Sequence, residues 1–578
     1  MRYLITLILV FVSNVILLSQ ESYLHIELDT IKANYRTGGY KLDSIDLIYS
    51  EKFISTPGSF TTNPFGKFGC AYSSVLINLK EQHREIDSVL FRHAAIPHLG
   101  TYYAFGSKGT QYLTVDYNHS FNKKIHFSMQ YKRNVAAGAY RFNAFGNDAF
   151  SIGLLYLGSR WKHVLTTSTF KQQRNLNGGV TSFEEIENFG LEYAKVRKQS
   201  SSDSISFLKI RTENEFGLFK KDSLHRFGLI FKNQLIIDKR VFKEKDSLTT
   251  WYPNQILFDT LNTRDLTQFS RLDNQMGIRF KNKRIYSEFL LANGYWKYKT
   301  SSFQIINEVD LLYNIYFKSH QWSFGSKNQL NLIGAKQQSL FNFIIQRKGD
   351  ISNLSLILNQ SNVIPTPLQR NYITNTLFYS TSNLNLQHSQ TATFSIKTNA
   401  EQSLCMSLFY GNFQNQYYFI NNSWRNDTLT SINQISLNIK GDYNVGLFHF
   451  QPNFTFNLID QVQIVPKYDL RSRLFISKKF KRPGTIFNLG VDINYKSKYQ
   501  LLTYDDRISL YKLEMDNNFY SDYCMLDAFV SMQLDEFRMY FKMENIDTYW
   551  SNPRNTIAKN YPIVPSILRL GLTWDFFN

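Results

Sequence analysis

The sequence predicts an all-β chain: a transmembrane antiparallel up-and-down β-barrel of roughly 22 strands (range about 18–24) with an N-terminal periplasmic or lumen extension. Three observations predict it. Apolar and polar residues alternate with period two along most of the chain, as they do when successive strand side chains point to opposite faces. Short and long connections tend to alternate between those stretches, as the two rims of a membrane barrel require. The composition pairs 16% aromatic residues with only 19% charged, below the roughly 25% charged of ordinary soluble domains. With 12 Pro and 28 Gly in 578 residues, collagen-like and linker-rich architectures are excluded. Abundant aromatic and β-branched residues argue against disorder.

Residues 1–20 form the first element. Arg2 is a short basic region, Leu4 to Leu18 is apolar apart from Thr6, Ser13 and Asn14, and Ser19 is a small residue at a cleavage position. This fits a secretory signal peptide, and no cysteine near its end suggests a lipid anchor. Beyond it, no stretch holds the roughly 18 uninterrupted apolar residues of a spanning helix. Export without a further helical span leaves a periplasmic or secreted protein, or a barrel in the cell outer membrane of a Gram-negative bacterium.

Residues 21–100 form the second element, an extension that is periplasmic or plug-like. It carries turn chemistry at Asp29-Thr30, Arg36–Gly39 and Asn63–Gly69 and only short apolar stretches. Residues 101–578 form the barrel. Ile125–Lys132 alternates without error, and Val309–Phe317, Ile435–Gly441, Phe487–Tyr495 and Leu526–Leu534 repeat the pattern. Asp535-Glu536 alone joins two strands and predicts a tight hairpin. Other tight connections are Phe121–Lys124, Lys281–Arg284, Lys318–Gln321, Asn444–Gly446 and Lys481–Gly484. Longer polar stretches cover 134–149, 171–187, 239–268, 412–432, 497–522 and 547–565. Segments 161–170 and 286–298 mix both registers. Leu568, Leu570, Leu572, Trp574 and Phe576 alternate with polar residues to the chain end. This last segment, 566–578, resembles the C-terminal strand by which outer-membrane barrels engage the barrel assembly machinery.

The resemblance extends further. Asn63–Gly69, Tyr102-Tyr103, Gly106–Gln111, the strand Tyr112–His119, Val135–Tyr140, Asn177-Gly178-Gly179 and Glu544–Asp547 together resemble the putative porin family of Bacteroidota outer membranes. That resemblance implies an outer-membrane barrel with porin-like activity, lipid as its surroundings and small hydrophilic solutes as its cargo. It supplies no catalytic residues.

The residues themselves indicate no enzyme. The 11 His and 3 Cys form no zinc-binding spacing, and Gly106–Gly109 lacks the strand–helix setting of a phosphate loop. No cofactor is expected. The net charge of +19 loses only Arg2 with residues 1–20. It is spread along the chain, which speaks against nucleic acid. The informative charges lie on the polar faces of strands, because a cation on the lipid face costs about 2–4 kcal/mol at the bilayer midplane. The lumen-facing candidates are Lys132, Arg279, Lys397, Arg538, Lys542 and Arg569, with the acidic Asp116, Glu308, Asp310 and Asp492. These charges either tune solute passage or pair and hydrate the wall. The expected function is passive diffusion of small hydrophilic solutes with weak anion preference. The alternatives are a scaffold or secretion-partner barrel and a substrate-specific or energy-coupled transporter. A receptor-type transporter predicts a plug of well over 100 residues, and the extension is shorter than that. The oligomeric state stays open.

Overall fold

The computed structural model describes Asp29–Thr30 and, with short gaps, residues 89–577. The predicted signal peptide and most of the extension lie outside the described residues. The rest builds one closed antiparallel barrel of 22 strands. In chain order they are β1 (His98–Gly106), β2 (Thr110–Ser120), β3 (Ile125–Ala136), β4 (Phe145–Leu157), β5 (Trp161–Leu176), β6 (Ser201–Gly217), β7 (Arg226–Lys245) and β8 (Asn262–Lys281). There follow β9 (Ile285–Lys299), β10 (Phe303–Lys318), β11 (Trp322–Ile333), β12 (Ser339–Lys348), β13 (Ser352–Val363), β14 (Gln387–Thr398) and β15 (Ser403–Gln414). The last are β16 (Ser431–Val445), β17 (Phe448–Ile459), β18 (Tyr468–Lys479), β19 (Thr485–Lys496), β20 (Tyr523–Leu534), β21 (Phe537–Glu544) and β22 (Ile567–Phe577). Each strand pairs with its chain neighbour, and β22 pairs with both β21 and β1, which closes the sheet. The first strand starts at His98, so the barrel begins just before the boundary read from the sequence.

Alternation decides the two faces. In β22, Leu568 and Trp574 are exposed while Arg569, Gly571, Thr573 and Asp575 are buried. In β9, Phe289, Leu291 and Tyr295 point out, and Glu288, Leu290, Ala292 and Trp296 are buried. One rim is marked by exposed aromatics directly after its turns: Trp161, Trp322 and Phe448, with Phe537 packed edge-on against the exposed Trp574. Such a girdle is where amphipathic rings meet the headgroup level.

The rims differ as their sequences predict. All six predicted tight connections fall on one rim, which also carries the start of β1 and the end of β22. Asp535 and Gly446 take positive φ there, the backbone a two-residue hairpin demands. The six long polar stretches all reach the other rim. Four of them prove to be partly barrel strand: β3 ends at Ala136 and β4 begins at Phe145, β5 runs on to Leu176, β7 runs to Lys245 and β8 begins at Asn262, and β15 ends at Gln414 with β16 beginning at Ser431. Both β7 and β8 have 20 residues, about twice the 9–11 that cross a bilayer. Their upper halves stand clear of lipid, so neither face needs an apolar stripe, and period counting misses them. The wall is therefore tallest at β7 and β8.

Candidate functional site

The tall wall receives the loop that crosses the mouth. Residues 497–522 leave the sheet between β19 and β20 and form a hairpin, Leu502–Asp505 against Leu510–Leu513. Its tip bonds to β5, β6 and β7. By the shorter way round, β7 lies nine to ten strands from that loop's root, against a half-circumference of eleven. The loop therefore spans nearly the full diameter.

Three charged knots hold it there. On the wall, Asp203 accepts from Arg240 Nε at 2.9 Å and from Arg174 Nη2 at 2.7 Å. Arg240 donates onward to the backbone carbonyls of Asp506, at 2.6 Å, and Arg507. Ser509 of the tip donates to Asp203 at 2.8 Å and accepts from Arg174 at 2.7 Å. Beside it, Lys198 sits between Glu244 at 3.3 Å and Asp506 at 3.2 Å, and Tyr252 donates to Glu244 at 2.8 Å. The third knot is Arg507. Its guanidinium holds Asp505 at 2.6 Å, Gln255 at 2.8 Å, the Thr376 carbonyl at 3.0 Å and Asn422 at 2.5 Å. It also stacks over the Tyr252 ring at 4.8 Å. One side chain thus ties together the loops 246–261, 364–386, 415–430 and 497–522.

Arg507 is 4% exposed and Arg240 1%, so both charges are desolvated. Burial alone works against the cation at Arg507, but the adjoining Asp505 carboxylate wins and raises its pKa above the ordinary value. Lys198 follows the same logic, raised against burial by Tyr252, Asp506 and Glu244. A planar five-donor fork suits this task, since it meets several acceptors while staying charged.

An aromatic layer lies with the knots. Leu368, Tyr372, Leu377 and Tyr379 of loop 364–386 pack with Tyr417, Phe419 and Trp424 of loop 415–430 and with Ile508 of the crossing loop. Phe269, Trp296 and Tyr298 of the wall complete this core. Trp424 donates to Tyr379 at 2.9 Å, and Tyr379 donates to the Leu368 carbonyl at 2.6 Å. Burying each such ring is worth about 1.5–3 kcal/mol. A second core joins Tyr140, Val180, Ile186, Leu191 and Tyr561 from three further loops. The long loops are consequently a folded cap over the mouth and not independent tips.

Below the cap the wall is polar. Arg279 is buried and bonds Glu215 at 2.5 Å, Glu213 at 3.2 Å and Glu288 at 3.5 Å. Lys232 bonds the same Glu288, which also accepts from Tyr286 at 2.9 Å. Lys542 lies between Asp492 at 2.8 Å and Asp527 at 2.9 Å, and Arg473 holds Asp492 at 2.7 Å. Arg569 pairs with Glu544 at 2.9 Å. Arg538, buried, donates to Gln533 at 2.9 Å. Asp310 accepts from Gln329 at 3.0 Å and Asn331 at 2.7 Å, Asp116 accepts from Gln130, and Glu308 is 1% exposed. Lys132 is half-buried on the face that also carries the buried Ser128 and Asn134. Lys397 is exposed next to the short-turn rim. Many of these charges are paired with one another, which reduces the field any solute would meet.

None of the cap-forming residues was a candidate from the sequence. Arg174 and Arg240 lay in stretches read as polar loop, and Arg507 is one cation among many. The one available signal was the length of 497–522, with its run of Tyr, Leu and Asp residues.

The comparisons with known proteins come to the same architecture. A family model described as "Putative porin" matches residues 18–578. No curated relative matches the chain. Among solved structures, the barrel is similar to the FrpB iron transporter from Neisseria meningitidis, with TM-score 0.59 and 10% identity, covering 83% of this chain and 82% of that one. It is similar to the siderophore receptor PirA from Acinetobacter baumannii, with TM-score 0.56 and 10% identity, covering 83% and 80%. It is also similar to the copper transporter OprC, with TM-score 0.60 and 7% identity, covering 83% and 80%. At these identities the likeness is one of fold.

Proposed function

The chain belongs to the putative porin family, and from that premise we propose that this outer-membrane barrel is a gated, substrate-selective transporter in place of the open diffusion pore expected from the sequence. The observation that carries this reading is the loop 497–522, latched to the far wall through Arg240, Asp203, Arg174 and Arg507. By barrel convention the short turns are periplasmic and the long loops extracellular, so the cap faces the outside. Size supports the reading. Barrels of 16–18 strands leave an aqueous channel, whereas 22-stranded outer-membrane transporters enclose a lumen wide enough to need filling. Solved barrels of the same fold are named as siderophore, iron and copper receptors or transporters. The paired interior charges favour selectivity at the cap over an anion preference set by the wall.

Opening then means releasing the crossing loop. A solute that inverts a 1:99 open-to-closed ratio must bind the open state about 10⁴-fold more tightly. The test is conductance in planar bilayers. The native protein is expected to stay closed in the absence of solute, and replacing residues 498–522 by a short Gly-Ser linker is expected to give steady ion current. Large steady current through the native protein sinks the gated reading and restores passive diffusion.

A further inference from the structure

The short-turn end holds a feature that neither the polar-lumen rule nor the cap explains. The inner wall of β4 and β5 carries an apolar patch: Leu155 and Val164 are buried, with Leu157 beside them. Gly153, on the same inward row of β4, has no side chain. Two residues that precede the barrel lie on that patch. Val89 and Phe91 are buried against Leu155 and Val164. A Cβ at Gly153 would come within 2.6 Å of both Val89 and Phe91, so the absent side chain is the seat they occupy. Two hydrogen bonds secure the end of the segment. Ser120 N donates to the Ala94 carbonyl at 2.8 Å, and Ala94 N donates to Ser120 Oγ at 3.1 Å. The segment is itself a strand edge: Asp29–Thr30 pairs in parallel with Arg92–His93. Two chain segments therefore lie side by side at this end of the barrel, one of them docked on the wall.

We propose that Val89–Ala94 is a docked strap that narrows the periplasmic exit, and that it must leave its seat for solute to pass. This inference rests on the transporter reading and adds a second gate to it. The chemistry fits a reversible contact. Two buried apolar side chains and two hydrogen bonds hold the seat, far fewer contacts than lock each strand into the closed sheet around it. A permanent wall element would instead be hydrogen-bonded into the barrel ladder, which this segment is not. Its register with Asp29–Thr30 also couples any pull on the chain before residue 30 directly to the seat.

The experiment uses the full chain with Cys70, Cys405 and Cys524 changed to Ser, plus Val89→Cys and Gly153→Cys. It is run with the native cap and with residues 498–522 replaced as above. The two thiols are expected to cross-link on oxidation. In the cap-deleted background, where the seated strap still narrows the exit, Gly153→Leu fills the seat and is expected to free the strap and raise the bilayer current, while oxidation of the cysteine pair is expected to hold the current at or below that of the reduced protein. Equal currents through cap-deleted barrels with and without Gly153→Leu overturn the strap as a gate. Failure of the thiols to cross-link in folded protein overturns the docking itself. The cap reading fails separately, when cap deletion leaves the current unchanged in the reduced protein.

Discussion

Arg507→Ala is expected to turn a closed barrel into a leaking one. The side chain joins four loops, and its removal leaves the Asp505 carboxylate buried without its fork partner. Breaking a buried, hydrogen-bonded pair by deleting one member costs about 3–5 kcal/mol. Charged against the closed cap alone, that shifts the closed-to-open ratio by at least about 10²-fold. Single-channel recording should therefore show frequent openings where the native protein shows few. The barrel itself should stay intact, since Arg507 bonds only to loops and to the top of the wall. Arg507→Lys should sit between the two, because a point charge cannot meet Asp505, Gln255, Thr376 and Asn422 together. Native-like closure in Arg507→Ala would mean that the aromatic layer holds the cap without the latch.

A second large effect is expected at the opposite end, on stability. Arg279→Ala removes the cation shared by Glu213, Glu215 and Glu288 and leaves Lys232 and Arg211 to serve three carboxylates on two strands, β6 and β9. The expected loss is about 3–5 kcal/mol, read as a lower denaturant midpoint for the refolded barrel. Arg279→Met is expected to lose as much, because it fills the volume and still strands the carboxylates. Triple replacement of Arg279, Glu213 and Glu288 by neutral residues should recover part of the loss. A midpoint unchanged in Arg279→Ala would show that water reaches this cluster and screens it.

The two sites also show what a sequence can and cannot disclose about such a chain. Arg279 was legible because it stands between Ile278 and Phe280, and a lipid-facing row fixes the direction of its neighbours. The same logic marked Lys542 between Phe541 and Met543, and Arg569 between Leu568 and Leu570. It gave the strand number, the two rims and the tight hairpin at Asp535-Glu536. Arg240 and Asp203 were not legible. They sit where β6 and β7 rise above the bilayer, so no apolar row flanks them on a lipid face. Segment 286–298 looked ambiguous for a related reason: Leu290 and Ala292 are inward yet apolar, so both faces of β9 are apolar there. The cap was invisible because its contacts join residues such as Arg240 and Arg507 that are far apart in sequence. Period counting sees only neighbours, and a fold of crossing loops has no period.

The central claim is that the loop 497–522 closes the mouth by binding the far wall and opens by leaving it. A reversible staple tests this most directly: Ser509→Cys with Asp203→Cys in the cysteine-free chain, replacing a contact of 2.8 Å. The pair is expected to cross-link, with current at the bilayer baseline when oxidised. Reduction, which also leaves the latch without its Asp203 carboxylate, is expected to release steady current. Equal current through the stapled and the reduced barrel would contradict the claim.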